Sequence, residues 1–318
     1  MRIIFMGSAD FACPCLETVL KSDRDEVVAV VTQPDRPKGR NLELSSCPVK
    51  QFVASRGIPI LSPERVNTPA SLALLTSLSP ELIVVVAYGQ LLKPTLLAIP
   101  PRGCINVHGS LLPRYRGAAP IQWAVANGDA VSGVTTMYMN EGMDTGDMIL
   151  KREVPVDPGD TGGRLHDKLA VVGAELLRET LELIRAGTAP RTPQDDSQAS
   201  VAPKLKKQDG RLDWNQPALT LHNRVRAFNP WPGCFCDLPD VPGKVLKVLA
   251  TRVEPFDPAS GSSDRALPGT LLDVGGDGPL FKTADQAIRL LEVQPEGRKP
   301  MSGAAFLRGT SPRWIARS

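Results

Sequence analysis

Leu82-Ile83-Val84-Val85-Val86, followed by Ala87-Tyr88-Gly89, decides the fold of this 318-residue chain. The run has no polar alternation and is rich in β-branched residues, so it reads as a strand buried on both faces. Strands of that kind belong to parallel sheets covered by helices. Comparable β-rich runs recur at 2–7, 27–32, 104–107 and 135–139. Helical stretches separate them at 13–21, 70–77 and 118–126, and a longer one is expected at 161–185, with Asp160 as its N-cap and Gly187 at its end. Such alternation predicts an α/β fold with a Rossmann-like, doubly wound and mostly parallel sheet.

The first strand-to-helix turn, Gly7-Ser8-Ala9-Asp10-Phe11-Ala12, lacks the G-x-G-x-x-G spacing that lets a backbone approach a pyrophosphate. A nicotinamide dehydrogenase is disfavoured, and no Walker-type phosphate loop appears. Chemistry is concentrated instead at Gly103-Cys104-Ile105-Asn106-Val107-His108-Gly109. On a strand, Asn106 and His108 leave the sheet on one face and can share a substrate. Asp144 follows inside Glu141-Gly142-Met143-Asp144-Thr145-Gly146. An amide and an imidazole can stabilise an oxyanion, while a carboxylate can orient the imidazole or accept a proton from an attacking amine. Taken alone, Asn-x-His is equally compatible with a structural histidine bonded to a backbone carbonyl. His166 and His222 have no ligand-spaced partner and read as structural or solvated.

The six cysteines, Cys13, Cys15, Cys47, Cys104, Cys234 and Cys236, form no C-x-x-C pair, so free thiols and no metal site are expected. There is no apolar run long enough to span a bilayer, and the first strand starts at Arg2. A cytoplasmic protein follows. The stretch 189–203, rich in Pro, Gln, Asp and Ser, reads as a linker between a domain at 1–188 and a smaller one at 204–318. Residues 205–318 carry four more basic than acidic residues, and none of the residues 297–318 is acidic. This imbalance suits a polyanion, although a solvated tail has the same composition. Short strand-like runs at 244–250, 269–274 and 287–294, set between Gly, Pro and Asp turns, suggest a small β-barrel.

The string Ser110-Leu111-Leu112-Pro113-Arg114-Tyr115-Arg116-Gly117-Ala118-Ala119-Pro120-Ile121-Gln122 lies between Asn106-x-His108 and Asp144-Thr145-Gly146-Asp147. Together they closely resemble the folate-dependent formyltransferases. The resemblance extends from Arg2-Ile3-Ile4-Phe5-Met6-Gly7 to Arg226-Ala227-Phe228-Asn229-Pro230-Trp231-Pro232, and so reaches a C-terminal segment that the smaller family members of purine synthesis lack. Within the family, the chain is most similar to members that formylate the methionine on initiator tRNA.

The resemblance implies a formyl donor, 10-formyltetrahydrofolate, and a methionyl-initiator tRNA acceptor. It implies catalytic roles for Asn106, His108 and Asp144, folate contacts by Ser110, Leu111, Leu112 and Pro113, and no metal. It also implies that the loop after Tyr88-Gly89, with 139–143, helps to enclose the pterin, and that the C-terminal domain is OB-like. By the same likeness the loop carrying Arg36, Lys38 and Arg40 enters the tRNA acceptor end. Lys204, Lys206 and Lys207 are further tRNA-binding candidates, and the enzyme is expected to be a monomer. The sequence departs from the family pattern at Asn41-Leu42-Glu43, where many relatives carry lysines. Rival readings are a formyltransferase for a nucleotide-linked amino sugar, a formyltetrahydrofolate hydrolase, and, from another class, a non-catalytic RNA-binding protein.

Overall fold

A computed structural model of the chain describes residues 1–38, 43–237, 244–256 and 266–309. They form two compact units. The first holds Met1–Pro120, Val131–Pro155 and His166–Ala202, and the second holds Ile121–Ala130, Val156–Leu165 and the chain from Pro203 onward.

The first unit is built on β1 (Arg2–Gly7), β2 (Glu26–Val31), β3 (Arg36–Lys38), β4 (Glu43–Ser45), β5 (Ile60–Leu61), β6 (Leu82–Val86), β7 (Cys104–His108), β8 (Arg116–Gly117), β9 (Val131–Tyr138), β10 (Met148–Pro155) and β11 (Val201–Ala202). Seven of them make one sheet in the order β10-β9-β7-β6-β1-β2-β5. The five from β5 to β7 are parallel. The remaining two, β9 and β10, run antiparallel. The doubly wound, mostly parallel sheet is therefore present, with its strand order reversing between β1 and β6. As the apolar run requires, every residue of β6 is buried.

Helices α1 (Ala12–Leu20), α2 (Pro48–Val53), α3 (Pro69–Ser77), α4 (Pro94–Leu97), α5 (Pro120–Ala126) and α6 (Gly162–Ala186) follow in chain order. The buried residues of α6, among them Leu169, Ala170, Leu177, Leu181 and Ile184, recur at helical spacing. Its Gly173 lets the helix approach the sheet: a Cβ there would lie 3.2 Å from Val107 Cγ1. Alternation along β7 consequently sends Val107 toward α6 and sends Asn106 and His108 to the other face.

In the second unit, α7 (Ala218–Ala227) and α8 (Gly303–Gly309) accompany an antiparallel sheet. Its strands are β12 (Cys234–Asp237), β13 (Val245–Glu254), β14 (Leu271–Asp273), β15 (Leu280–Lys282), β16 (Ala287–Pro295) and β17 (Met301–Ser302). They pair as β12-β13-β16-β15-β14, with β17 also on β16. Arg289 on β16 is buried and bonds Glu254 through Nε at 2.8 Å and a terminal nitrogen at 2.9 Å, and it also donates to the Gly278 carbonyl at 2.7 Å.

Candidate active site

β7 is gripped on both sides, by β6 through Val85 opposite Asn106 and by β9 through Thr135 opposite His108. The chain then leaves the sheet, and Thr135 anchors the loop that follows. Its hydroxyl donates to the Ser110 carbonyl at 2.7 Å, and Leu112 N–H donates back to the same hydroxyl oxygen at 3.1 Å. Tyr115 ends this loop in the left-handed region, φ 63°. Its carbonyl oxygen lies 2.9 Å from His108 Nε2. A carbonyl can only accept, so Nε2 carries the hydrogen and Nδ1 is the nitrogen left to face the site.

Asp144 stands opposite, also left-handed at φ 55°, a conformation that aspartate tolerates better than most residues. Its Oδ2 accepts the Gly117 N–H at 2.8 Å and lies 3.7 Å from His108 Nδ1. Its Oδ1 is 3.4 Å from Asn106 Nδ2. The imidazole contact is too long for a hydrogen bond but close for a charge pair. Both side chains are largely withdrawn from water, 7% and 15% exposed, so their interaction is less screened than on a surface. The structure thus brings Asn106, His108 and Asp144 into one cluster.

The other expected site residues are placed differently. The Ser110 hydroxyl donates to the Arg114 carbonyl at 2.6 Å. Leu112 is buried in a cluster with Met137 and Met148, and Leu111 packs over Gly133. Pro113 is half-buried. Leu112 therefore supplies core, while the exposed apolar side chain near Asp144 is Met143. Arg36 is exposed and paired with Glu64 at 2.7 Å. The backbone of Lys38 belongs to β3, whereas Arg40 and the departure at Asn41-Leu42 lie outside the described residues. Lys204, Lys206 and Lys207 are exposed in the second unit.

His166 contacts Asp10 and Asp167 at 3.2 and 3.0 Å, and His222 contacts the Thr251 hydroxyl at 2.9 Å. Burial, helped by Arg226, lowers the His222 pKa. Burial also pushes the Cys104 thiol up to about 12, which makes this neighbour of Asn106 a poor nucleophile. No group of three or more His, Cys, Asp or Glu that could hold a metal occurs among the described residues.

Sequence reasoning missed the groups that hold the cluster. The Tyr115 carbonyl and the Gly117 amide are backbone atoms with no signature of their own. The third is Gln194, in the stretch expected to act as a linker. That stretch is tied into the first unit by paired backbone bonds between Thr192 and Met148 and by β11 lying parallel to β8.

Comparison with known proteins gives the class. Residues 1–181 match the formyl transferase family, and residues 204–311 match the formyl transferase C-terminal domain. An N-formyltransferase from Helicobacter canadensis, solved with folinic acid and dTDP-3-aminofucose, shares the fold with a TM-score of 0.63 at 16% identity, over 93% of this chain and 99% of that one. The chain belongs more narrowly to the methionyl-tRNA formyltransferases. It is 46% identical to the Geobacter metallireducens protein of that name, over 97% of this chain and 96% of that one. Its identity to the Desulfotalea psychrophila protein is 48%, over 97% and 93%.

Proposed function

We propose that this chain transfers the formyl group of 10-formyltetrahydrofolate to the α-amino group of methionine esterified to initiator tRNA. The observation that carries this reading is identity of 46–48% along almost the whole chain, C-terminal domain included, to methionyl-tRNA formyltransferases. The co-substrate supplies a carbon at the carbonyl level. Exposed Met143, next to Asp144 in the chain, offers such a molecule an apolar contact. Ser110, Leu111, Leu112 and Pro113 would contribute mainly through their backbone.

In the reaction a bond forms from the methionine nitrogen to the formyl carbon, the bond from that carbon to the folate nitrogen breaks with its electron pair going to that nitrogen, and the proton lost by the amine is balanced by one gained by the folate nitrogen. Asn106 has two amide hydrogens; one points at Asp144, and the other can meet the carbonyl oxygen as it gains charge. As an imidazolium, His108 donates to that oxygen through Nδ1–H, because Nε2–H is committed to the Tyr115 carbonyl. Asp144, fixed by the Gly117 amide, keeps a lone pair for the amine proton and offsets charge on the imidazole.

The reading assigns 1–188 to catalysis, 189–203 to a linker and 204–318 to tRNA binding, with Arg36, Lys38, Arg40, Lys204, Lys206 and Lys207 meeting phosphates. It takes the enzyme as a monomer in the cytoplasm, where charged tRNA is made. The test offers charged initiator tRNA, a nucleotide-linked amino sugar and water as competing acceptors of the formyl group. Formyl-methionyl-tRNA is the expected product. Preferential formylation of the sugar, or release of formate alone, would overturn the reading.

A further inference from the structure

The segment 190–199 is exposed at every residue except Gln194. Four hydrogen bonds hold that one side chain. Gln194 Nε2 donates to the Asp144 carbonyl at 2.8 Å and to the Gly146 carbonyl at 2.9 Å. Its Oε1 accepts from Arg116 Nε at 3.0 Å and from a terminal Arg116 nitrogen at 2.8 Å. Arg116 is the residue before Gly117, whose amide holds the Asp144 carboxylate. One side chain therefore ties together the backbone of Asp144 and the strand that grips its carboxylate.

The rest of the loop leaves this task open. Asn140 Oδ1 accepts from Gly142 N–H and the Thr145 hydroxyl, which shapes the first half. Gly146 is pressed against the Tyr138 carbonyl, where a Cβ would not fit. Asp144 sits between these supports in a left-handed conformation that costs a non-glycine residue energy unless its surroundings hold it.

We propose that Gln194 is a positioning residue for formyl transfer: it acts through Asp144, holding its left-handed backbone and coupling it to β8. The proposal rests on the role given to Asp144 above. Replacing Gln194 with glutamate keeps the acceptor for Arg116 but removes the donor to the two carbonyls, and replacement with alanine removes both. Neither change replaces a residue that contacts substrate, so the expected signature is a loss of turnover with little loss of binding.

Steady-state kinetics of the full-length enzyme with charged initiator tRNA and formyl donor test this in Gln194→Glu, Gln194→Ala, Asp144→Asn and the double variant Asp144→Asn with Gln194→Ala. Displacement of a reacting group by a fraction of an ångström to an ångström slows a preorganised site by about 10- to 100-fold. Both Gln194 variants should lose kcat by about that factor, with each KM changed less than about threefold. In the Asp144→Asn background, Gln194→Ala should cost less than about threefold more, because the group it positions is already disabled. Normal kcat in Gln194→Glu, or an undiminished loss in the double variant, would overturn the positioning role alone. Normal turnover in Asp144→Asn would instead remove the site on which it rests. If Gln194→Ala does not fold, Gln194→Glu combined with Asp144→Asn completes the same cycle.

Discussion

Gly117 donates its backbone N–H to Asp144 Oδ2 at 2.8 Å, from a conformation with φ 124° and with no room for a side chain. A Cβ at this position would lie 2.6 Å from the Ala202 carbonyl oxygen. Gly117→Ala must therefore displace β8 or β11 and move the amide away from the carboxylate. The expected result is destabilisation of about 1–3 kcal/mol together with a fall in kcat. Thermal melts and steady-state rates check this; unchanged values in both would show that Asp144 does not depend on the Gly117 amide.

Alanine in place of Asn106, His108 or Asp144 should depress turnover far more than folate affinity, since their interactions strengthen as charge develops. Loss of one oxyanion donor costs on the order of a hundred- to a thousandfold in rate. Binding titrations with tetrahydrofolate beside initial-rate measurements separate the two effects. Near-normal kcat in all three variants would remove them from the catalytic machinery.

For the tRNA, the basic residues at 36–40 and 204–207 and the acidic Glu43 make opposite predictions in salt. Arg40→Ala, or alanine at Lys204, Lys206 and Lys207 together, should weaken charged-tRNA binding. Its salt dependence should flatten by roughly one unit of log-log slope for each phosphate that is no longer neutralised. Glu43→Lys should tighten binding and steepen the slope by about the same amount. Slopes that stay constant across these variants would leave both regions as ordinary solvated surface.

Stability of the second unit should respond to acid through Glu254. Hydrogen bonds from buried Arg289 hold its carboxyl below the usual glutamate range. A depressed carboxylate pKa contributes stability that is present above the unfolded-state value and is lost as pH falls through the folded-state value. Glu254→Gln should thus destabilise the protein by about 1–3 kcal/mol near pH 7. The gap to the parent should start to narrow below the unfolded-state value of about 4.3 and close only once pH has fallen through the lower folded-state value, where both side chains are neutral. Denaturant melts at several pH values measure it, and a gap independent of pH would show that the carboxylate charge contributes nothing.

By itself the sequence determined the elements with strong local signals. The apolar run at 82–86 reads as a strand buried on both faces, and the stretch at 161–185 as one long helix, which α6 is. Two-residue spacing put Asn106 and His108 on the same face because strand geometry leaves no other choice. Weakly patterned elements escaped it. β10 carries Lys151, Arg152 and Glu153 in succession and so shows no period-2 alternation; β5, β8, β11 and β17 are two residues each and are defined by their partners rather than by their own residues.

Tertiary structure alone decided how the site is held. Asp144 meets Asn106 and His108 only because β7 and the loop before β10 converge at one end of the sheet. Which imidazole nitrogen faces the site depends on a carbonyl seven residues away, and the carboxylate is fixed by an amide whose approach to Asp144 no side chain encodes. Leu112, equally apolar in sequence whether it lines a ligand or a core, was committed to the core by Met137 and Met148. Gln194 lies in a stretch whose composition suggests only a spacer. Its bonds to Asp144 and Arg116 span 50 and 78 residues, and contacts over such separations leave no periodic trace in a sequence because folding alone creates them.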